Sequence, residues 1–176
     1  PKDKQTYAAE LTKVLRENLI SSFHHISTMT PSSGTQSTLS SFPHPRLSTL
    51  LLNKIHDILF DLAVHTTKYL QEIIPLIYST LSNPFGTAYP PLLLAGVAVT
   101  RAVILNAHPR IWRWRGEILG AVAACWINVA DEEVAERGKE GEKEDLTKLK
   151  MQLKGVVYLL RMALQNPDEE VAEDEG

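Results

Sequence analysis

The chain is poor in the residues that carry chemistry. It holds one cysteine, Cys125, which excludes an intramolecular disulfide framework and favours a reducing compartment. Cys125 falls inside an apolar run. A thiol there is a small hydrophobe, not the partly open, electropositive nucleophile that thiol chemistry needs. The six histidines, His24, His25, His44, His56, His65 and His108, never pair with another His or a Glu at the spacing of a helical zinc site. His65 and His108 each precede a helix and read as turn or capping residues. The nine glycines form no phosphate-cradling loop and no Gly-x-Ser-x-Gly nucleophile turn. Up to residue 130 the carboxylates are scattered singly, so no acid–base pair is visible. A helical enzyme with a buried site would need polar groups converging from facing helices, and the helix stripes show none.

Regular alternation with period two is also missing, which excludes a sheet. Apolar runs are short. Pro91–Ala107 is broken by Arg101 and Gly116–Ala130 opens on Glu117, so neither is the roughly 20-residue uninterrupted run of a membrane span. Both read as core helices. The chain has no initiator methionine and no signal-like start, and is expected to be part of a longer protein.

What is present is ordinary for a globular domain, with 44% hydrophobic and 22% charged residues. The net charge of −3 is uneven: residues 1–130 carry 11 lysines and arginines against 7 carboxylates, and residues 131–176 carry 7 against 14. The acidic half lies at the C-terminus, which is not a nucleic-acid footprint.

The apolar spacing predicts six helices. The first covers about 4–26, with Leu11, Leu15, Leu19, Phe23 and Ile26 on one face. Ser and Thr fill 10 of the 15 positions from Ser27 to Ser41, the signature of a flexible linker. The second helix opens at Pro45, whose missing N–H is not needed in a first turn, and its stripe is Leu47, Leu51, Ile55, Ile58 and Leu62. The third covers 67–81, with Leu70, Ile73, Ile77 and Leu81 inward, and stops at Asn83-Pro84. The fourth covers 90–106 and the fifth 109–129. A charged loop is expected over 131–145. The sixth covers 146–164 with Leu146, Leu149, Leu153, Val156 and Leu160, and an acidic disordered tail fills 167–176. The domain is thus 1–166, with loops near 27–44 and 131–145.

An offset of 45 residues recurs. Glu72-Ile73-Ile74-Pro75 answers Glu117-Ile118-Leu119-Gly120, Leu81 answers Trp126, and Pro45 answers Pro90. Helical-pair repeats of the HEAT and armadillo kind run about 40–47 residues. The expected fold is all-α, a HEAT-like α-solenoid of antiparallel helix pairs. In the fifth helix Ile111, Trp114, Ile118, Val122, Cys125 and Val129 make one stripe, and Trp112, Leu119, Ala123 and Trp126 a second beside it. Burial against neighbours on two sides follows, with Trp114 and Trp126 in the core and Gly120, Ala121 and Ala124 letting another backbone approach.

The candidate site is the start of that helix, where Arg110, Trp112, Arg113 and Arg115 interleave cations with aromatics. The plain reading is a helix start paired with carboxylates such as Glu117, in the weaker i, i+4 order. The other is a protein-docking surface, since Arg and Trp are enriched among interface hot spots. Three arginines oppose the positive end of the helix dipole, so they call for acidic partners. Internal candidates are Glu132, Glu133, Glu136, Asp61 and Glu72.

Three blocks, Asn83-Pro84-Phe85-Gly86-Thr87-Ala88-Tyr89-Pro90-Pro91, the run from Ile104 through His108-Pro109-Arg110-Ile111-Trp112-Arg113-Trp114-Arg115-Gly116-Glu117 to Leu119, and Leu159-Leu160-Arg161-Met162-Ala163-Leu164-Gln165-Asn166-Pro167, resemble the C-terminal part of fungal members of the Tel-two-interacting protein two family. The middle block carries most of the resemblance. It implies a HEAT-like solenoid with no catalytic residues and no cofactor. It also implies a scaffold in the Triple T co-chaperone assembly, beside Tel-two and its first interacting protein. That assembly works with the ninety-kilodalton heat-shock chaperone to mature phosphatidylinositol 3-kinase-related kinases. Larger helical-repeat subunits are the implied partners, in the cytoplasm and the nucleus, with no nucleic acid and no membrane. The alternative is a HEAT-repeat scaffold of another pathway, such as transport or ribosome assembly.

Overall fold

The computed structural model describes residues 2–28, 44–135 and 143–165, and every regular element among them is helical. The first helix is α1 (Lys2–Lys13) and α2 (Ser21–Thr28), joined without a break by π-helical turns over Val14–Ile20. Then come α3 (Pro45–Leu62), a 3-10 stretch Ala63–Tyr69, α4 (Leu70–Leu81), a 3-10 turn Pro84–Ala88, and α5 (Pro90–Ile111). A 3-10 turn Trp112–Trp114 leads into α6 (Arg115–Ala135), and α7 (Lys143–Leu164) closes the described chain.

Local chemistry accounts for the boundaries. Pro45 and Pro90 each stand at a helix start, where a proline leaves no donor unsatisfied. The Asn83 side chain caps the turn after α4 by accepting from the Phe85 N–H at 2.9 Å. Pro109 breaks the long α5 run: Ala107 sits at φ −114°, ψ 18°, outside helical geometry, because a proline cannot continue the hydrogen-bond ladder. The expected division between a helix ending near Asn106 and another starting near Pro109 is this kink.

The core centres on α5. It is apolar nearly all round and is enclosed by α3 on one side, α7 on the other, and α4. An 18-residue window within Pro90–Val134 is long and apolar enough to cross a membrane by composition, a run that the interrupting charges hide from a simple count, and 61% of that window is buried inside the fold. Gly96 lets α4 and α5 approach closely, since a Cβ there would lie 3.1 Å from both Thr80 and Leu81 side chains of α4. The α6 helix lies between α4 and α7. Contacts from α4 and the turn after it rise together with those along α6, from Tyr78 beside Gly120, through Ser82 at the end of α4 with Asn128, to Thr87 of the 3-10 turn with Glu132, so α4 and α6 run in the same direction. Along α6 and α7 they run oppositely, with Glu133 pairing with Lys150 and Trp126 lying under Lys154.

Several expectations are corrected. The buried stripe of α3 is Ser48, Leu52, Ile55, Leu59 and Leu62; Leu47 is 45% exposed, because the stripe lies one residue further round than its spacing suggested. The helix begun at Thr67 starts as 3-10 at Ala63 and becomes α-helical at Leu70. Of the fifth helix read from sequence, now the end of α5, the 3-10 turn and α6, the stripe Ile111, Ile118, Val122, Cys125 and Val129 is buried, but Trp112, Leu119 and Ala123 are exposed and Trp114 and Trp126 only half-buried. The second covered side runs instead through Ala121, since α4 lies there. The neighbour at Gly120 is the Tyr78 ring, 3.5 Å from where a Cβ would stand, and not a backbone. The loop read over 131–145 is shorter: 131–135 continue α6, Lys143–Asp145 open α7, and 136–142 lie outside the described residues. Ser27 and Thr28 are still helical; the rest of the Ser/Thr linker and the tail from 166 on also lie outside them.

Candidate docking surface

The join between α5 and α6 is where function is best sought. Its position is set by one buried residue. Ile111 is fully buried in the core cluster, and it anchors a turn whose other members must then point outward. Arg110, Arg113 and Arg115 are all exposed, and Trp112 is 55% exposed. The geometry is tight, since the Arg115 guanidinium donates to the Trp112 carbonyl at 2.8 Å. That bond uses one of five guanidinium donors.

Arg110 and Arg113 share a recess of about 440 Å3 with Thr67, Lys68, Gln71 and Glu117. Half-buried Trp114 forms part of its wall. The 3-10 stretch before α4 therefore brings a third cation, Lys68, to the two arginines. Sequence reasoning missed Lys68, because nothing in its local pattern marks it; only the packing of Ala63–Tyr69 against α5 puts it there.

The acidic partners that could neutralise this cluster are engaged elsewhere. Glu72 is bound by Arg16 at 2.9 Å, and Glu133 is ion-paired with Lys150. Glu132 accepts from the Thr87 hydroxyl at 3.3 Å and Asp61 from Tyr7 at 3.4 Å. Glu136 lies outside the described residues. Glu117 lines the recess without closing an ion pair. Among the described residues, Arg110, Arg113 and Arg115 thus have no carboxylate partner.

Elsewhere the chemistry is quiet. Cys125 is buried and burial pushes its thiol up to about 12, far from thiolate reactivity. Among the described residues no group of three or more His, Cys, Asp or Glu is placed to hold a metal.

A sequence model of the Tti2 family matches residues 1–88, half of the chain. The chain belongs to the Tti2 family. This is the family that the Asn83–Pro91, Ile104–Leu119 and Leu159–Pro167 blocks resemble; the match covers α1 to α4 and the turn that follows, and so reaches into the first of these blocks. The arginine segment lies beyond it. No curated protein and no solved structure matches the chain.

Proposed function

We propose that this member of the Tti2 family is a non-catalytic scaffold subunit of the Triple T co-chaperone assembly. It would contribute to the maturation of phosphatidylinositol 3-kinase-related kinases by binding a larger helical-repeat protein, Tel-two or its first interacting protein. Family membership supports the assembly. The observation that carries the docking role is the arginine segment: Arg110, Arg113 and Arg115 unpaired among the described residues, with Trp112 exposed beside them. Unpaired arginines and an exposed tryptophan on a rigid helix start have the make-up of an interface hot spot.

The architecture proposed is a HEAT-like solenoid over residues 1–166. In this reading α3, α5 and α7 form one layer and α4 and α6 the other, with the chain running antiparallel between layers. Neighbour packing of α3 on α5, α5 on α7 and α4 on α6 supports it, as does the 45-residue offset of Pro45 and Pro90. The setting proposed is the cytoplasm and the nucleus.

The double substitution Arg110→Glu/Arg113→Glu tests the docking role. The variant should fold with an unchanged melting temperature, because the arginines make no ion pair that folding depends on. It should lose Tel-two and its first interacting protein in pull-downs. A lowered melting temperature with binding intact would give the arginines an internal role, and unchanged binding with unchanged melting would leave the segment as solvated surface.

A further inference from the structure

The side of α6 turned away from α4 carries an open groove. Leu119, Ala123, Trp126 and Ile127 of α6 line it with Leu153 and Val157 of α7, and its surface is almost wholly apolar. Leu119 is 41% exposed, Ile127 58% and Val157 43%. An apolar strip of this kind between two packed helices has the form of a helix-binding groove.

The internal repeat indicates what belongs there. On α4, the surface that receives α6 includes Tyr78, whose ring lies 3.5 Å from a Cβ placed at Gly120, and Ser82, whose carbonyl accepts from Asn128 at 3.5 Å. Moved on by the 45 residues that separate Pro45 from Pro90, those two positions become Ala123 and Ile127. Both line the groove. The groove is thus the α6 counterpart of the surface that holds a helix on α4, an inference that rests on the stacked architecture proposed above.

Charge narrows the occupant. The Lys150 and Lys154 ammonium groups stand 5.4 and 5.6 Å from the centre of the Trp126 ring, within cation–π range. Lys150 is paired with Glu133, whereas Lys154 has no carboxylate partner among the described residues. Arg161, two helical turns past Lys154 and on the same face of α7, has none either. The α7 wall of the groove therefore carries Lys154 without a carboxylate partner among the described residues, and Arg161 continues that face of α7 beyond the groove. From Leu119 to Ile127 the floor spans about 12 Å at 1.5 Å per residue, room for roughly two turns of helix. We propose that this groove receives an amphipathic helix of a partner protein, apolar on the buried stripe and acidic along the edge that meets Lys154 and Arg161.

The test titrates the full chain into a fluorescein-labelled synthetic helix of about 18 residues, with leucines at i, i+4 and i+7 and glutamates along one edge. Its counterpart carries lysines in place of the glutamates. Fluorescence anisotropy should show the acidic helix binding at least about tenfold more tightly than the basic one. Ile127→Glu should abolish binding, and Lys154→Glu should weaken the acidic helix by about three- to tenfold. Both positions are exposed, so circular dichroism and melting should match the parent. The Arg110→Glu/Arg113→Glu variant should bind the helix normally. Loss of binding there would move the helix to the arginine segment and overturn the groove while sparing the scaffold reading; unchanged pull-downs with the helix still bound would do the reverse. Equal binding of both helices, or none, overturns the proposal. So does a concentration-dependent dimer in sedimentation that Ile127→Glu abolishes, since a second copy then fills the groove. Binding seen only after the six carboxylates of Asp168–Gly176 are changed to amides would also overturn it, by making the chain's own acidic end the occupant.

Discussion

Ala63 is held at φ 46°, ψ −126°, where a side chain is strained. The strain is local and has a clear source. The α3 helix must end at Leu62 so that the 3-10 stretch can double back, and the Ala63 N–H still bonds the carbonyls of Leu59 and Phe60. Glycine adopts that geometry at little cost. Ala63→Gly should therefore raise stability by about 1 kcal/mol, read as a higher urea midpoint at constant slope; a lower midpoint would mean the turn is unstrained. Cys125 makes a second residue-scale prediction. Its thiol is fully buried and pushed from an ordinary 9.0 to about 12 by desolvation. Above pH 9 the unfolded chain loses this proton while the folded chain keeps it, so stability falls as pH rises. Between pH 8 and 10 the parent should lose about 1.4 kcal/mol more than Cys125→Ala, measured by urea unfolding at both values. Equal losses would show a thiol in contact with water. Both residues differ in how visible they are from sequence. Burial of Cys125 follows from its place on an apolar stripe. The strain at Ala63 does not, because alanine there gives no sign of a left-handed backbone, and only the packing of the next stretch imposes it.

Helix ends are the best-read elements, because capping is local chemistry. Pro45, Pro90 and Asn83-Pro84 mark their boundaries without reference to the rest of the fold. Helix faces are read less well. An apolar arc tells how much of a helix can be buried, but not which part of it meets a neighbour. In α6 both arcs are apolar, yet α4 covers the side holding Ala121, while Leu119 and Ala123 line an open groove. The arginine segment was legible as a candidate because its composition is unusual; Lys68, its third cation, was not, since tertiary packing alone brings it near. Gly120 tests the α4–α6 contact as an element. A Cβ there would meet Tyr78 Cε2 at 3.5 Å, ordinary van der Waals distance. Gly120→Ala removes the conformational freedom of a mid-helix glycine without a clash, and should stabilise the fold by about 0.5–1 kcal/mol. A lower denaturation midpoint would mean that α4 lies closer to α6 than this spacing.

Across the whole molecule, burial is graded along the chain. The α5 helix is enclosed by α3, α4 and α7, so freeing its backbone requires most of the core to open. The first helix is held differently. From Lys4 to Val14 no side chain is buried; Leu15, Ile20, Phe23 and Ile26 supply its core contacts. Leu11 and Leu19 pack against the core only in part, and polar ties include Thr12 with Tyr69 at 2.7 Å, part-buried, and two exposed contacts, Arg16 with Glu72 at 2.9 Å and Tyr7 with Asp61 at 3.4 Å. Such exposed polar contacts each contribute about 1 kcal/mol or less. The middle of this helix, Val14–Ile20, is π-helical, a form rare in folded chains. With so few fully buried side chains, the first helix can open while α5 stays enclosed. Native-state hydrogen exchange read by mass spectrometry should therefore find the slowest amides in 92–104 and much faster exchange in 4–14. Exchange in 4–14 should also be insensitive to low urea, because opening there exposes little surface. Uniform protection across both segments, with one shared urea dependence, would mean that the chain opens only as a single cooperative body and that the first helix is as firmly built in as α5.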